Sequence, residues 1–531
     1  MPYKCTQEWA PERCPDYLSV IAGAFDSFNK QEKQISKDAD ATFKAAKPLV
    51  QHQARVLDSL AHLLVSEPEG QRIVIGAEKG AAEPAFKLLV AEEPMPPEDS
   101  PMTTTAAHLR VLLLRLWMIR SLWVDRKGPP ANPDMTYASH PDDPFESAVV
   151  ELEIIVLRYS WPNLAHRILA GSQNTHFMDT AADVCGTPAL KREDISNEER
   201  ELLASLQELP LSNGALGVQT QLDNIKMLSR FAKEDATPSD ADLRKVRFAL
   251  VIANLWRIRL SKSGKQQAWD DYARSRLSRT GLTSAPDNRN IDVARWIDEL
   301  TVIRFHFRRV SGITISPHLS PLLYLVEGIV CIDADPPAPK SFEVDRARLV
   351  RVLYAAGIDA HELNDVRIND FLESLRVAHG GTWSDGEDGD ARHRKFVIEP
   401  IRTLHPECLI LNELHERAAI PFVGTSEPAC AFCETYFALY RSFRGWDSPI
   451  HLMSSHNRTS GWVFPAFSDR LTRQLEQAFC GQMIGRIRHG WHRYSPNALR
   501  TDVAWSSLDC DPDLLQEWLT ARQEIEESST T

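Results

Sequence analysis

Two short runs hold the side chains best suited to chemistry, His405-Pro-Glu407 and Cys430-Ala-Phe-Cys433. A Cys-x-x-Cys pair opening a helix serves redox exchange, half of a structural zinc site, or two thiolates of a catalytic zinc. One imidazole and two thiolates give Zn2+ three protein ligands and leave a fourth position for water, the catalytic arrangement. Helix N-termini lower thiol pKa values and favour the thiolates that a metal needs. Zinc in turn acidifies the water it binds. Glu407 then stands as a base beside the metal, free to move protons. Ala431 and Phe432 between the cysteines, with a histidine one strand–helix unit upstream, speak against a thioredoxin-like pair. A structural site wants a fourth protein ligand, and Cys408 is the nearest candidate.

Elements must bring these residues together, because 25 positions separate His405 from Cys430. Downstream of residue 395 the pattern alternates: "KFVIEPI" as a strand, "PECLILNELHER" as a helix, "AIPFVGTS" as a strand, "CAFCETYFALYRSF" as a helix, and "SPIHLMSS" as a third strand. A loop, "HNRTSGWVFPAF", and a long helix, "SDRLTRQLEQAFCGQMIGRIRHG", follow. Pro406 suits a first helical position and Glu407 falls in the first turn. Two helices running alike beside a largely parallel sheet place their N-termini, and hence the four residues, at one edge.

"HPE" followed after a strand by "PACAFC" resembles the H-x-E…P-C-x-x-C signature of the zinc deaminases. The wider context is similar to a fungal branch of the cytidine-deaminase-like superfamily, in which a variable helical region precedes a deaminase domain. The likeness covers roughly residues 390–500 and includes "SSHNRTSGWVFPAF", similar to that branch's loop after the third core strand. It implies a three-layer α/β/α domain with His405, Cys430 and Cys433 as Zn2+ ligands and Glu407 as catalytic proton shuttle. It further implies hydrolytic deamination of a nucleobase-containing substrate by hydroxide generated at zinc, with His456 and Trp462 as substrate-binding candidates. In two places the sequence departs from the usual pattern: Ala429 separates Pro428 from Cys430, and Pro406 replaces a small residue. The competing reading is a non-catalytic interaction or scaffold protein whose deaminase-like domain is stabilised by zinc.

Most of the first 375 residues read as helix, including "SAVVELEIIVLRYSWPNLAHRIL", "DLRKVRFALVIANLWRIRL" and "SPLLYLVEGIVCI". The division expected is an α-helical region over 1–377, with breaks near 126–144 and 333–341, and a linker over 378–395. The zinc domain follows over 396–510, then a C-terminal helix and tail over 511–531. A chain of 531 residues is too long for one ordinary core.

The formal charge of -13 opposes non-specific adhesion to nucleic acid, although a local basic groove is compatible with it. "RIRHGWHRY" (486–494) is a candidate for gripping a phosphate or a single strand. Nine scattered cysteines do not form a secreted disulfide framework, and the N-terminus lacks a signal-peptide pattern. "VLLLRLWMIRSLWV" (111–124) is too short to span a bilayer and reads as a buried helix. A soluble intracellular protein, in cytoplasm or nucleus and with no membrane contact, is therefore expected. The helical region is the surface expected to serve oligomerisation or a protein partner.

Overall fold

A computed structural model describes residues 10–494 except 29–42, 45, 69–70, 80–84, 94–101, 126–142, 170–171, 210–216, 235, 281–290, 317–318, 320–322, 324–325, 333–340, 380, 385–393, 399–403, 416, 445–449, 453–461 and 466–469. The chain runs through α1 (Pro15–Phe28), α2 (Pro48–Leu63), β1 (Arg72–Lys79) and β2 (Phe86–Glu93). Among the described residues nine helices, α3–α11, follow from Met102–Asp125 to Val293–Ser311. Then come β3 (Val326–Cys331), β4 (Phe342–Asp345), α12 (Arg346–Ala355), α13 (Asp365–Ala378) and β5 (Lys395–Ile398). The last described elements are α14 (Pro406–Leu414), β6 (Phe422–Thr425), α15 (Ala431–Arg444), β7 (His451–Leu452) and α16 (Arg470–Arg493).

Strand β1 is the hub of a five-stranded mixed sheet ordered β3-β2-β1-β6-β7. It pairs antiparallel with β2 from Arg72–Glu93 to Lys79–Phe86, and antiparallel with β6 through Val74–Thr425 and Ile75–Gly424. The outer pairs, β2–β3 and β6–β7, are parallel. Side-chain alternation divides the two faces between two apolar cores. Ile73, Ile75, Ala77, Leu88 and Val90 face α2 and the helical block. Val74, Leu89, Ala91 and Val423 face the core built by α14, α15, α16 and α1. Helices therefore cover both sides of the sheet, and an α-rich region of the chain is joined to an α/β unit.

Two close approaches fix this layering. A Cβ on Gly424 would stand 2.2 Å from the Leu57 carbonyl carbon and 2.3 Å from the Asp58 nitrogen, so α2 lies directly on the β6 backbone. On the other face, a Cβ on Gly76 would lie 2.6 Å from Ile410 Cγ2, which sets α14 against β1. Helix starts in the block carry the expected caps. Asp143, Ser239 and Asp292 each accept backbone N–H bonds, and Ser196 with Glu199 forms a capping box.

The structure departs from the sequence reading in four places. Residues 72–79, 86–93 and 326–331 are strands inside the region read as helical. The sheet is mixed rather than largely parallel, because its central strand comes from that region and runs against β2 and β6. "KFVI" is a strand, but it pairs with β4 in a separate two-stranded sheet, Phe342 opposite Ile398. The break over 378–395 thus does not separate the strands around the site, since two of them precede it by some 300 residues. Within 111–124 the helix forms, yet Val111, Leu114, Trp117, Met118 and Val124 are exposed, so only its inner face is buried. No described helix is long and apolar enough to cross a membrane. Residues 511–531 and the break at 126–142 lie outside the described residues.

Candidate metal centre

His405 is the N-cap residue of α14, with extended backbone and a side chain that makes no capping bond, so its ring is free to face inward. Pro406 occupies the first helical position, where its missing N–H costs nothing. One strand later, β6 leads into Ser426, which is pinned to β1: its N–H donates to the Ile73 carbonyl at 2.9 Å, and its Oγ accepts from the Ile73 N–H at 2.8 Å. That anchorage delivers Cys430 to the start of α15, where the Cys433 N–H lies 3.5 Å from Cys430 Sγ.

The result is a cluster of His405, Cys430 and Cys433 with donor atoms all within 4.8 Å of one another, every residue buried. His405 Nδ1 lies 3.2 Å from Cys433 Sγ and 3.4 Å from Cys430 Sγ. Tetrahedral zinc with bonds of about 2.0 Å to nitrogen and 2.3 Å to sulfur needs donors roughly 3.5 Å apart. The spacing and the donor types therefore fit Zn2+. Cys408 is buried with its sulfur 3.8 Å from Cys433 Sγ, but it does not join the group of mutually close donors.

Glu407 is fully buried, with Oε2 3.8 Å from Cys433 Sγ and Oε1 lacking a hydrogen-bond partner. An unsatisfied carboxylate oxygen beside a metal-ligand set is where a water or substrate proton would be expected. Burial pushes its carboxyl up, and Arg72 and His405 pull the other way. Burial works against charge on His405 too, but the Cys430 thiolate and Glu407 outweigh it and raise the imidazole to about 10. Burial would likewise raise the Cys430 thiol, yet its bond with Cys433 and the charge of His405 hold it well below a thiol's usual range. Cys433 moves up, through burial and its bonds with Cys408 and Cys430.

Sequence reasoning missed Arg72 at the first position of β1. Its guanidinium lies 3.5 Å from His405 Nδ1, 4.0 Å from Glu407 Oε1, 3.4 Å from Glu93 Oε2 and 3.9 Å from Glu427 Oε2. No local motif marks it; only recognition of 72–79 as a strand pairing with β6 could have found it.

Residues 404–466 match the family model described as OTT_1508_deam-like deaminase. That segment holds His405, Glu407, Cys430 and Cys433, so the match and the cluster coincide. No curated protein and no solved structure matches the chain.

Of the remaining candidates, Trp462 and the 486–494 run lie among the described residues. Trp462 is 1% exposed, stacked on Phe479 at 4.6 Å and 22° and set against Phe432 and Tyr436, which makes it part of the aromatic packing behind α15. His456 lies outside the described residues. In the 486–494 run, Trp491 is buried and Arg367 sits over its ring at 4.5 Å, so the indole is occupied from within.

Proposed function

We propose that the chain is a zinc-dependent hydrolytic deaminase of a nucleobase-containing substrate, with a cytidine-deaminase-like arrangement of strands and helices around the site. The observation that carries this reading is the His405, Cys430 and Cys433 cluster with Glu407 beside it, inside the segment matched by a deaminase family model. His405 through Nδ1, Cys430 and Cys433 would hold the ion. Bound there, zinc would supply a Lewis acid that acidifies water near neutral pH. Glu407 takes one proton from the attacking water and passes it to the ring nitrogen, then takes the second from the new hydroxyl on the ring carbon and passes it to the leaving ammonia; Oε1, which has no hydrogen-bond partner, is the acceptor. Arg72 holds that carboxylate in place from the strand side. The start of α15 directs backbone N–H groups toward the charge that develops.

One observation favours the scaffold reading. His405 is 1% exposed, and Glu407, Cys430 and Cys433 are 0% exposed, as in a site that staples rather than turns over. The two are separated by purifying the full chain without chelators, quantifying metal, and screening ammonia release over bases, nucleosides, nucleotides and oligonucleotides. Stoichiometric zinc lost in Cys430→Ser, with release abolished in Glu407→Gln, supports the deaminase. Zinc with no release across the screen supports the scaffold, and metal-free protein overturns both.

A further inference from the structure

A second cluster of donors lies on the opposite face of the sheet. Asp58 and His62 stand four residues apart on α2, one helical turn, and His306 projects from α11 to meet them. Their donor atoms all lie within 4.8 Å of one another. The two imidazoles stack at 3.8 Å between centroids and 18° between planes, so one ring must turn out of the stack for both lone pairs to meet a single ion. A neutral imidazole is the form that binds metal. His306 Nδ1 lies 3.0 Å from Ser59 Oγ, leaving Nε2 as the ligand atom and giving the ring the kind of outer partner that metal-bound histidines carry. Asp58 is the carboxylate of the set, and its Oδ1 accepts from the Thr425 N–H of β6 at 3.5 Å.

We propose that Asp58, His62 and His306 bind a divalent transition-metal ion at a site of nitrogen and oxygen donors, distinct from the sulfur-containing centre. Two imidazoles and a carboxylate suit zinc, iron(II) or cobalt(II) and are a poor set for calcium or magnesium. The ion joins three elements, α2, α11 and, through Asp58, strand β6, and so clamps the helical block to the sheet. Arg167 and Arg309 are the opposing cations nearby. Arg167 is engaged by Asn163 Oδ1 at 2.7 Å and the Glu299 carbonyl at 3.2 Å, and Arg309 lies over the Phe305 ring at 4.4 Å. Their charge weakens the site relative to a thiolate centre without filling it.

The test uses the full chain, stripped with chelator and re-equilibrated with zinc or cobalt(II). Wild-type protein is expected to hold two ions and His306→Asn one. A Cys430→Ser/Cys433→Ser variant retains one, whose cobalt form shows ligand-field bands without a thiolate charge-transfer band. In that double-serine background, added zinc raises Tm by several degrees, and His306→Asn removes both the ion and the shift. Wild-type protein holding a single ion that survives His306→Asn and disappears with Cys430→Ser overturns this site while leaving the deaminase reading intact. A folded Cys430→Ser/Cys433→Ser variant that stays metal-free overturns it equally, and if that variant does not fold, the wild-type and His306→Asn counts decide.

Discussion

Arg72 Nη1 stands 3.5 Å from His405 Nδ1, although 333 positions of chain separate the two residues. The same guanidinium reaches Glu407, Glu93 and Glu427, so a strand from the first hundred residues supplies the positive charge at a centre whose other members lie beyond residue 400. Helix starts and sheet register together produce that meeting. Arg72 opposes Glu93 in the β1–β2 ladder, and β1 runs beside β6.

Glu407→Gln keeps the shape of the side chain and removes its capacity to take a proton. Metal content and thermal unfolding are expected to stay at wild-type levels while ammonia release on a turned-over substrate falls about 10²- to 10⁴-fold, the usual worth of a positioned acid–base group. Release that survives the substitution would remove Glu407 from the chemistry.

Arg72→Met leaves the fully buried Glu407 without its cation. Removing one partner of a buried pair costs about 3 kcal/mol, readable as a lowered denaturation midpoint. In Glu407→Gln protein the same Arg72→Met change should cost less, because the fully buried carboxylate is gone and only the more exposed Glu93 and Glu427 lose the guanidinium. Equal costs in the two backgrounds would show that the pair carries no coupling.

Gly424→Ala forces a methyl against the backbone of Leu57 and Asp58, where nothing can swing aside. We expect a loss of about 3 kcal/mol, at the upper end for overpacking, together with weakened zinc retention because β6 leads into Cys430. Gly76→Ala meets side-chain atoms alone, Ile410 Cγ2 at 2.6 Å and Leu414 Cδ1 at 3.0 Å, and should cost less, about 1–2 kcal/mol. Urea unfolding of the two variants side by side checks the ranking.

Acid should destabilise the fold through two histidines remote from the metal centre. Burial holds His108 at about 4, with its ring stacked on Tyr159 at 3.7 Å. Burial and then Arg441 hold His451 at about 4. Their unfolded values lie near 6.5, so the unfolded chain takes up protons first as pH falls. The stability they contribute is complete above pH ~6.5 and is lost on the way down to pH ~4, at up to about 1.4 kcal/mol per pH unit for each. Asp270 and Asp58, raised by burial to about 6, work in the opposite sense over part of that range, while His62 and His306, held lower still, add to the loss. Tm measured from pH 7 to pH 5 should fall, and the slope should flatten in a His108→Phe/His451→Phe variant.

The site was legible where its chemistry is local. His405, Glu407, Cys430 and Cys433 sit at helix starts, and Pro406 and the cysteine spacing advertise those starts. The helices α14, α15 and α16 and strands β6 and β7 were readable from the same alternation. The hairpin was not. "RIVIGAEK" and "FKLLVAEE" are buried on both faces through their centres, so they show no period of two and pass for helix interior. "VEGIVC" failed for a related reason, lying at the end of an apolar run that suits either element. Arg72 could not be seen without the hairpin, and the pairing of "KFVI" with 342–345 depends on contacts that no local pattern encodes.

The pairing of Ile75 with Gly424 also sets a timetable. During synthesis β1 and β2 emerge early and must wait, one edge unpaired, while about 340 residues of helical block and connecting chain are made. Helices fold from near neighbours and can settle during that interval, whereas the sheet cannot close until residue 425 arrives. A fragment beginning at residue 396 would carry every candidate zinc ligand yet lack the sheet's central strand and the arginine beside its glutamate. Such a fragment should emerge as an aggregate with a naked strand edge, so the segment carrying the candidate zinc ligands depends on the chain's opening hundred residues as a template.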